Sequence, residues 1–209
     1  MTTLPRLDAE PVQYPRTYQE AAALDDLELK GLLVKHLKDH SVRRGDFTLK
    51  SGRKSSWFID AKKTACDPAG IIVISALMLR LIPADVTGIG GLTMGADPVS
   101  FGVAAIASAT ARPISSFSVR KEVKDHGAGG RLAGILATGS TVAITEDAVT
   151  RGNSIMEAVD VVVALGGKVG VITAVVDRGG TVGALAELRG IPFRPLITAL
   201  DLGFEFEGA

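Results

Sequence analysis

Cysteine is nearly missing from this chain: Cys66 is the only one in 209 residues. That excludes an intramolecular disulfide and a multi-cysteine metal knot, and it makes a reducing, cytoplasmic setting the simplest expectation. Aromatic residues are scarce, at 5% with a single tryptophan. The core must come from Val, Ile, Leu and Ala, which suits parallel strands packed under helices. Net charge is absent, because 23 Lys and Arg balance 23 Asp and Glu. No global field then draws the chain to nucleic acid, and any anion must be held by a local cluster. Long apolar runs are also lacking. The longest, Ile71 to Ile82, is broken by Ser75 and Arg80 and is too short to span a bilayer. The N-terminus carries acids and prolines and lacks the apolar stretch of a signal peptide.

What is present is an alternation of apolar runs and amphipathic segments. Residues 1–24 contain Pro5, Pro11 and Pro15 and are expected to form an extension with no packed fold of their own. The remainder, 25–209, reads as one α/β domain. Asp25 or Asp26 caps a helix running from about Leu27 to His40, with Leu29, Leu32, Leu33, His36 and Leu37 on its inner face. A hairpin is expected around Ser51 and Gly52, with Trp57 and Ile59 on one face and Phe58 on the other. Further helices are predicted at 69–81, 99–109, 154–165 and 181–189, and strands at 86–90, 114–119, 142–144, 169–176 and 193–199. Strands alternating with helices predict a doubly wound, mostly parallel sheet with its site at the strand C-terminal ends. His36 and His40 have metal-like spacing but no evident third ligand, and Asp97 before Pro98 reads most simply as a helix cap.

Four stretches fall just after predicted strands. In T-V-A-I-T-E-D-A-V-T-R-G-N-S, Thr141 to Ser154, a buried strand leads to the acid pair Glu146 and Asp147. A small polar turn, Thr150 to Ser154, then feeds a helix. Backbone N–H groups and the helix dipole converge there on a phosphate-sized spot. The acids beside it suit sugar hydroxyls or a hydrated divalent cation. A P-loop is excluded, since no Lys follows the glycine. The second stretch, R-K-E-V-K-D-H-G-A-G-G-R from Arg120 to Arg131, gathers cations and glycines suited to closing over a polyanion such as diphosphate. The third, Gly90 to Gly95, is glycine-rich and permits close backbone approach to a phosphate. The fourth, Asp177-Arg178-Gly179-Gly180, offers an arginine for bidentate grip on a carboxylate, or a salt bridge within its own turn.

These residues carry a resemblance. I-T-E-D-A-V-T-R-G-N-S resembles the phosphoribosyl-diphosphate (PRPP) signature of type I phosphoribosyltransferases. R-K-E-V-K-D-H-G is similar to the catalytic loop of the orotate phosphoribosyltransferases, and F-T-L-K-S-G-R-K-S-S-W-F-I-D to their N-terminal orotate-side segment. The match runs from about Asp25 to Arg189. The resemblance implies the type I phosphoribosyltransferase fold, a central mostly parallel sheet flanked by helices with a small N-terminal hood from about residues 25–65. It also implies transfer of phosphoribosyl from PRPP to orotate, with Mg²⁺ held mainly through PRPP and water near Glu146 and Asp147. Lys124, Asp125 and His126 would be the catalytic loop residues. Lys50, Arg120, Lys121, Lys124 and His126 would reach PRPP. Glu146 and Asp147 would bind its ribose, and Ala148, Val149, Thr150, Arg151, Gly152, Asn153 and Ser154 its phosphate turn. Orotate would meet Thr150, Arg178, Phe58 and Ile59, with Trp57 beside them. A homodimer sharing the Lys124 loop across its interface is implied, with neither nucleic acid nor membrane as partner.

The chain departs from that pattern in places. Met94 stands where many relatives carry Lys, although Gly95 keeps the turn, and Glu146 stands where Asp is common. Arg151 and Asn153 replace smaller residues. A phosphoribosyltransferase for another nucleobase and a non-catalytic PRPP sensor are the competing readings.

Overall fold

The computed structural model describes residues 12–48, 52, 54–122 and 130–208. Its first helices are α1 (Tyr18–Ala23) and α2 (Asp26–His36), followed by a π-helical turn, Leu37–Ser41. Asp25 caps α2 in a reciprocal capping box with Glu28, which satisfies two orphan N–H groups at once. The predicted inner face holds: Leu29, Leu33, His36 and Leu37 are buried. His36 is structural, bonded through Nδ1 to Thr64 Oγ1 at 3.2 Å and through Nε2 to Asp67 Oδ1 at 3.0 Å.

The expected extension is partly wrong. Its last residues form α1, whose Ala21 is fully buried. Arg80 donates to the carbonyls of Ala22 and Leu24 at 3.0 and 2.8 Å, satisfying the C-terminal groups of that helix. A six-residue helix has too little periodicity to announce itself.

Two antiparallel strands, β1 (Val42–Thr48) and β2 (Lys54–Ile59), make the hood. Burial alternates along β2, with Ser55, Trp57 and Ile59 turned inward and Phe58 outward, as a strand of period two requires. After it come α3 (Lys62–Ala65), α4 (Pro68–Leu81), β3 (Val86–Leu92), α5 (Asp97–Ala107), β4 (Ser115–Val119) and β5 (Leu132–Gly134). The chain continues through β6 (Thr141–Ile144), β7 (Ala148–Val149), α6 (Asn153–Ala164), β8 (Lys168–Asp177), α7 (Val182–Glu187) and β9 (Phe193–Thr198).

The main sheet has the order β5-β4-β3-β6-β8, with β7 and β9 also paired to β8. Every pairing is parallel except β4 with β5, the short edge strand that the sequence did not announce. Successive strand residues feed opposite faces. Ala143, Val171 and Val175 join the core under α2, α4 and α5, while Val142, Ile144, Ile172 and Ala174 join the core under α6 and α7. The strands therefore read as near-continuous apolar runs, and their polar residues are left to the C-terminal edge, where a site can form. Among the described residues no helix is long and apolar enough to cross a membrane.

Candidate functional site

At the C-terminal edge of β6 and β8, a cleft of about 840 Å³ opens between the main sheet and the hood. Its floor is the segment that follows β6. Glu146 and residues 148–155 line it, together with Arg178 from the end of β8. The hood contributes Arg43, Phe47, Thr48 and Phe58. The C-terminal Glu207 completes the wall.

The phosphate-sized turn forms as expected. β7 pairs with β8 through Ala148 and Val149, and the chain then bends into α6. Gly152 is the N-cap, with φ of 82°, a conformation that only glycine adopts without strain. No side chain caps α6, so the first-turn N–H groups of this twelve-residue helix remain open to an anion. The turn is braced from behind. Thr181 Oγ1 donates to Thr150 O at 2.7 Å, and the Asp177 carboxylate accepts from the N–H groups of Gly179 and Gly180 at 3.0 and 2.9 Å. Asp177 thus holds the backbone turn, and Arg178 is free to pair elsewhere.

The acid pair lies beside the turn. Burial pushes the Glu146 carboxyl up to about 8, with the neighbouring Asp147 adding to the rise and Lys121 opposing it. Glu146 Oε2 is buried with no partner among the described residues, an oxygen that a ligand hydroxyl or ion could satisfy. Burial also raises Asp147, against the charge of Lys62, whose Nζ lies 3.2 Å from Asp147 Oδ2 and 2.9 Å from Asp60 Oδ1. Lys62 was missed by sequence reasoning. It sits 85 positions from Asp147, and K-K at a helix start looks like solvated surface. Gly95 adjoins the pair, since a Cβ there would stand 2.6 Å from Asp147 Oδ1 and 2.8 Å from Glu146 Oε1.

The sign of the Glu146 shift gives a prediction. A carboxyl raised from 4.5 to about 8 on folding binds more protons in the folded state than in the unfolded state across that window. Its contribution to stability is complete below the unfolded value and is lost as pH rises through the folded one. In a ligand-free melt series, the Tm of the parent chain is expected to fall more steeply between these limits than that of Glu146→Gln. Parallel curves would show that Glu146 ionises normally.

Some expectations are corrected by position. Phe58 lines the cleft, 41% exposed, but Ile59 points to the opposite face of β2 and into the core. Adjacent strand residues cannot share one face. Trp57, 1% exposed, lies beneath Arg178, whose guanidinium carbon is 4.7 Å from the ring centroid. Asp97 is no helix cap. It accepts from Thr93 Oγ1 at 2.6 Å and Ser118 Oγ at 2.7 Å, tying the β3 turn to β4, while Ala96 occupies the N-cap. Met94 is 70% exposed, and its own side chain supplies no cation to the turn. Arg120 sits at the end of β4, its N–H bonded to Arg131 O at 2.6 Å, and Arg131 in turn pairs with Glu157 of α6. Lys50, Lys124, Asp125 and His126 lie outside the described residues. Ser55 and Glu207, both partners of Arg178, were not anticipated from the sequence.

No model of a known protein family matches the chain. Individual relatives do. An orotate phosphoribosyltransferase of Nostoc sp. is 35% identical over 182 residues, covering 87% of this chain and 88% of that protein. Among solved structures, orotate phosphoribosyltransferase of Mycobacterium tuberculosis in complex with Fe(III) dicitrate superposes with a TM-score of 0.76 at 34% identity, over 84% of this chain and 99% of that one. The same enzyme in complex with PRPP gives a TM-score of 0.72 at 33% identity, over the same shares.

Proposed function

The chain belongs to the orotate phosphoribosyltransferase family, and we propose that its cleft performs that family's reaction on PRPP and orotate. The chain transfers the 5-phosphoribosyl group to orotate, giving orotidine 5′-monophosphate and diphosphate in pyrimidine biosynthesis. One observation carries this reading: among the described residues an uncapped helix N-terminus, a buried carboxyl with an unpartnered oxygen and an arginine open onto the same cleft. A phosphate, a sugar and an anionic base need those three features in one place. The complex of the Mycobacterium tuberculosis relative with PRPP supports the donor.

The roles follow from the chemistry of each position. The turn Thr150 to Ser154 receives the 5-phosphate. Glu146 and Asp147 accept hydrogen bonds from the ribose hydroxyls. Orotate rests between Phe58 and Thr150 with Arg178 at its anionic edge. Attack at the anomeric carbon develops positive charge on the ribosyl ring and negative charge on departing diphosphate. The acid pair beneath the ring favours the first. Cations at the leaving group favour the second, and loss of one preorganised donor of this kind costs about 3–4 kcal/mol. Lys121 and Arg120 are assigned there, with Lys50, Lys124 and His126 and with Asp125 beside them.

Glu146 and Asp147 fit a metal ion shared with the substrate. One oxygen is unpartnered, and among the described residues no group of three His, Cys, Asp or Glu side chains forms a separate cage. Mg²⁺ bound there with the diphosphate would supply Lewis-acid stabilisation of the leaving group. We also assign a homodimer in which the Lys124 loop serves the partner's cleft, and a cytoplasmic setting in keeping with the free, exposed Cys66. Within residues 25–65 the strands β1 and β2 act as the hood of a single domain, whose packed part takes in α1 as well.

Incubation with PRPP, Mg²⁺ and orotate, followed by orotate absorbance, tests the reading. Orotate should disappear, and a chelator should stop the loss. Turnover of a purine with orotate untouched would overturn it. Asp147→Asn should weaken PRPP binding by about tenfold, because it removes one charge-assisted acceptor. A titration showing unaltered affinity would take Asp147 out of the ribose site.

A further inference from the structure

The last residues of the chain form part of the base end of the cleft. Past β9 the backbone turns back along the end of β8. There Glu207 N–H donates to Arg178 O at 3.0 Å, and Gly208 N–H donates to Gly179 O at 3.1 Å. The approach is close enough that a Cβ at Gly208 would stand 2.2 Å from Gly179 O. Phe204 in the same tail stacks on Trp57, with centroids 4.3 Å apart and rings 3° from parallel.

This path delivers the Glu207 carboxylate to Arg178. Oε2 accepts from Arg178 Nη2, and Oε1 accepts from Ser55 Oγ at 2.5 Å. The same Nη2 donates to Ser55 Oγ at 3.0 Å and to Trp57 O at 2.9 Å. Among the described residues, every hydrogen bond of the Arg178 guanidinium runs through Nη2. Nε is buried with no partner, and Nη1 makes no bond. One end of the guanidinium is saturated by protein, and the other donors are left over. A guanidinium is a rigid planar fork, so fixing one nitrogen and the plane fixes the direction of the rest.

We infer that Glu207 is the positioning residue of the base site: it clamps Nη2 of Arg178 so that the remaining donors are aimed at the anionic edge of the base. The inference rests on the assignment of Arg178 to orotate. The rival role is a plug, in which Glu207 merely occupies the arginine until a substrate carboxylate displaces it. The attachment of the tail argues against that. The two backbone hydrogen bonds fix the tail beside β8, and withdrawing the carboxylate would give up its Ser55 contact together with its pairing to Arg178, a residue only 6% exposed. A carboxylate anchored on both sides directs its partner and does not vacate.

Glu207→Gln in the full chain tests this, because the amide keeps the shape and loses the charge. Trp57 is the sole tryptophan and lies under Arg178, so its emission reports the guanidinium without any substrate. The expected result is a changed ligand-free emission and an orotate KM raised about tenfold, with kcat and the PRPP KM held within about twofold. Unchanged emission, or an orotate KM that stays or falls, overturns the inference, and a fall identifies a plug. If Glu207→Gln melts below the assay temperature, Glu207→Asp replaces it with the same signs expected, since the shorter side chain retracts from Nη2. If the parent chain consumes no orotate, the substrate assignment fails, while the emission arm still decides whether Glu207 holds Arg178.

Discussion

Arg178→Ala is expected to raise the orotate KM by about 100-fold, with the PRPP KM changed far less. The magnitude follows from truncating one partner of a desolvated charge pair, which costs about 2–5 kcal/mol, roughly a factor of ten for each 1.4. Two causes combine here. The base loses its cationic partner, and the half-buried Glu207 is left beside Ser55 without the guanidinium it faces. The second cause also predicts a lower melting temperature, so a thermal melt should accompany the kinetics. Arg178→Lys should recover only part of the loss, because an ammonium cannot hold Ser55, Trp57 and Glu207 at one end while presenting donors at the other. Steady-state kinetics with orotate varied at saturating PRPP provide the check. An orotate KM within about twofold of the parent value, far under one tenfold step, would remove Arg178 from the base site.

The second large effect concerns a residue with no side chain. A Cβ at Gly179 would stand 1.7 Å from Thr150 O and 2.4 Å from Thr150 C, both backbone atoms. Nothing at the end of a flexible chain can yield. Gly179→Ala must push the end of β8 away from the phosphate turn, breaking the Thr181–Thr150 bond or shifting the turn itself. Overpacking of this kind costs about 1–3 kcal/mol. For a chain of this size that corresponds to a Tm lowered by roughly 2–12 °C. Affinity for PRPP should fall by more than about tenfold, because Thr150 opens the cradle for its phosphate. Calorimetric melting and a PRPP titration check both parts. A variant that melts and binds like the parent would show that Gly179 and Thr150 do not touch in solution.

Legibility followed the range of the interaction. The stretch Thr141 to Ser154 could be read directly, because strand, acid pair, turn and helix start are consecutive, and each is signalled within a few residues. The hairpin and its alternating faces could be read for the same reason, although treating Phe58 and Ile59 as joint lining ignored the period that had been recognised in the same strand. Asp97 was misread because Asp before Pro at a helix start looks like a cap, whereas its acceptors are satisfied by Thr93 and Ser118. The helix α1 was hidden by its shortness and by prolines on its N-terminal side.

By itself the sequence determined the alternation of strands and helices, the apolar character of a sheet covered on both faces, and the glycine turn into α6 with the acid pair before it. These depend on periodicity, turn residues and caps, which act over a few positions of the chain. Only the tertiary structure decided which charges meet: Lys62 with Asp147 across 85 positions, Arg178 with Ser55 across 123, and Arg178 with Glu207 across 29. Such pairs leave no local pattern, because their geometry is set by how β2, β8 and the C-terminal tail converge at one edge of the sheet. The arginine could be read as a carboxylate ligand from its place after a strand. That, among the described residues, all its side-chain hydrogen bonds run through Nη2 is a property of the fold.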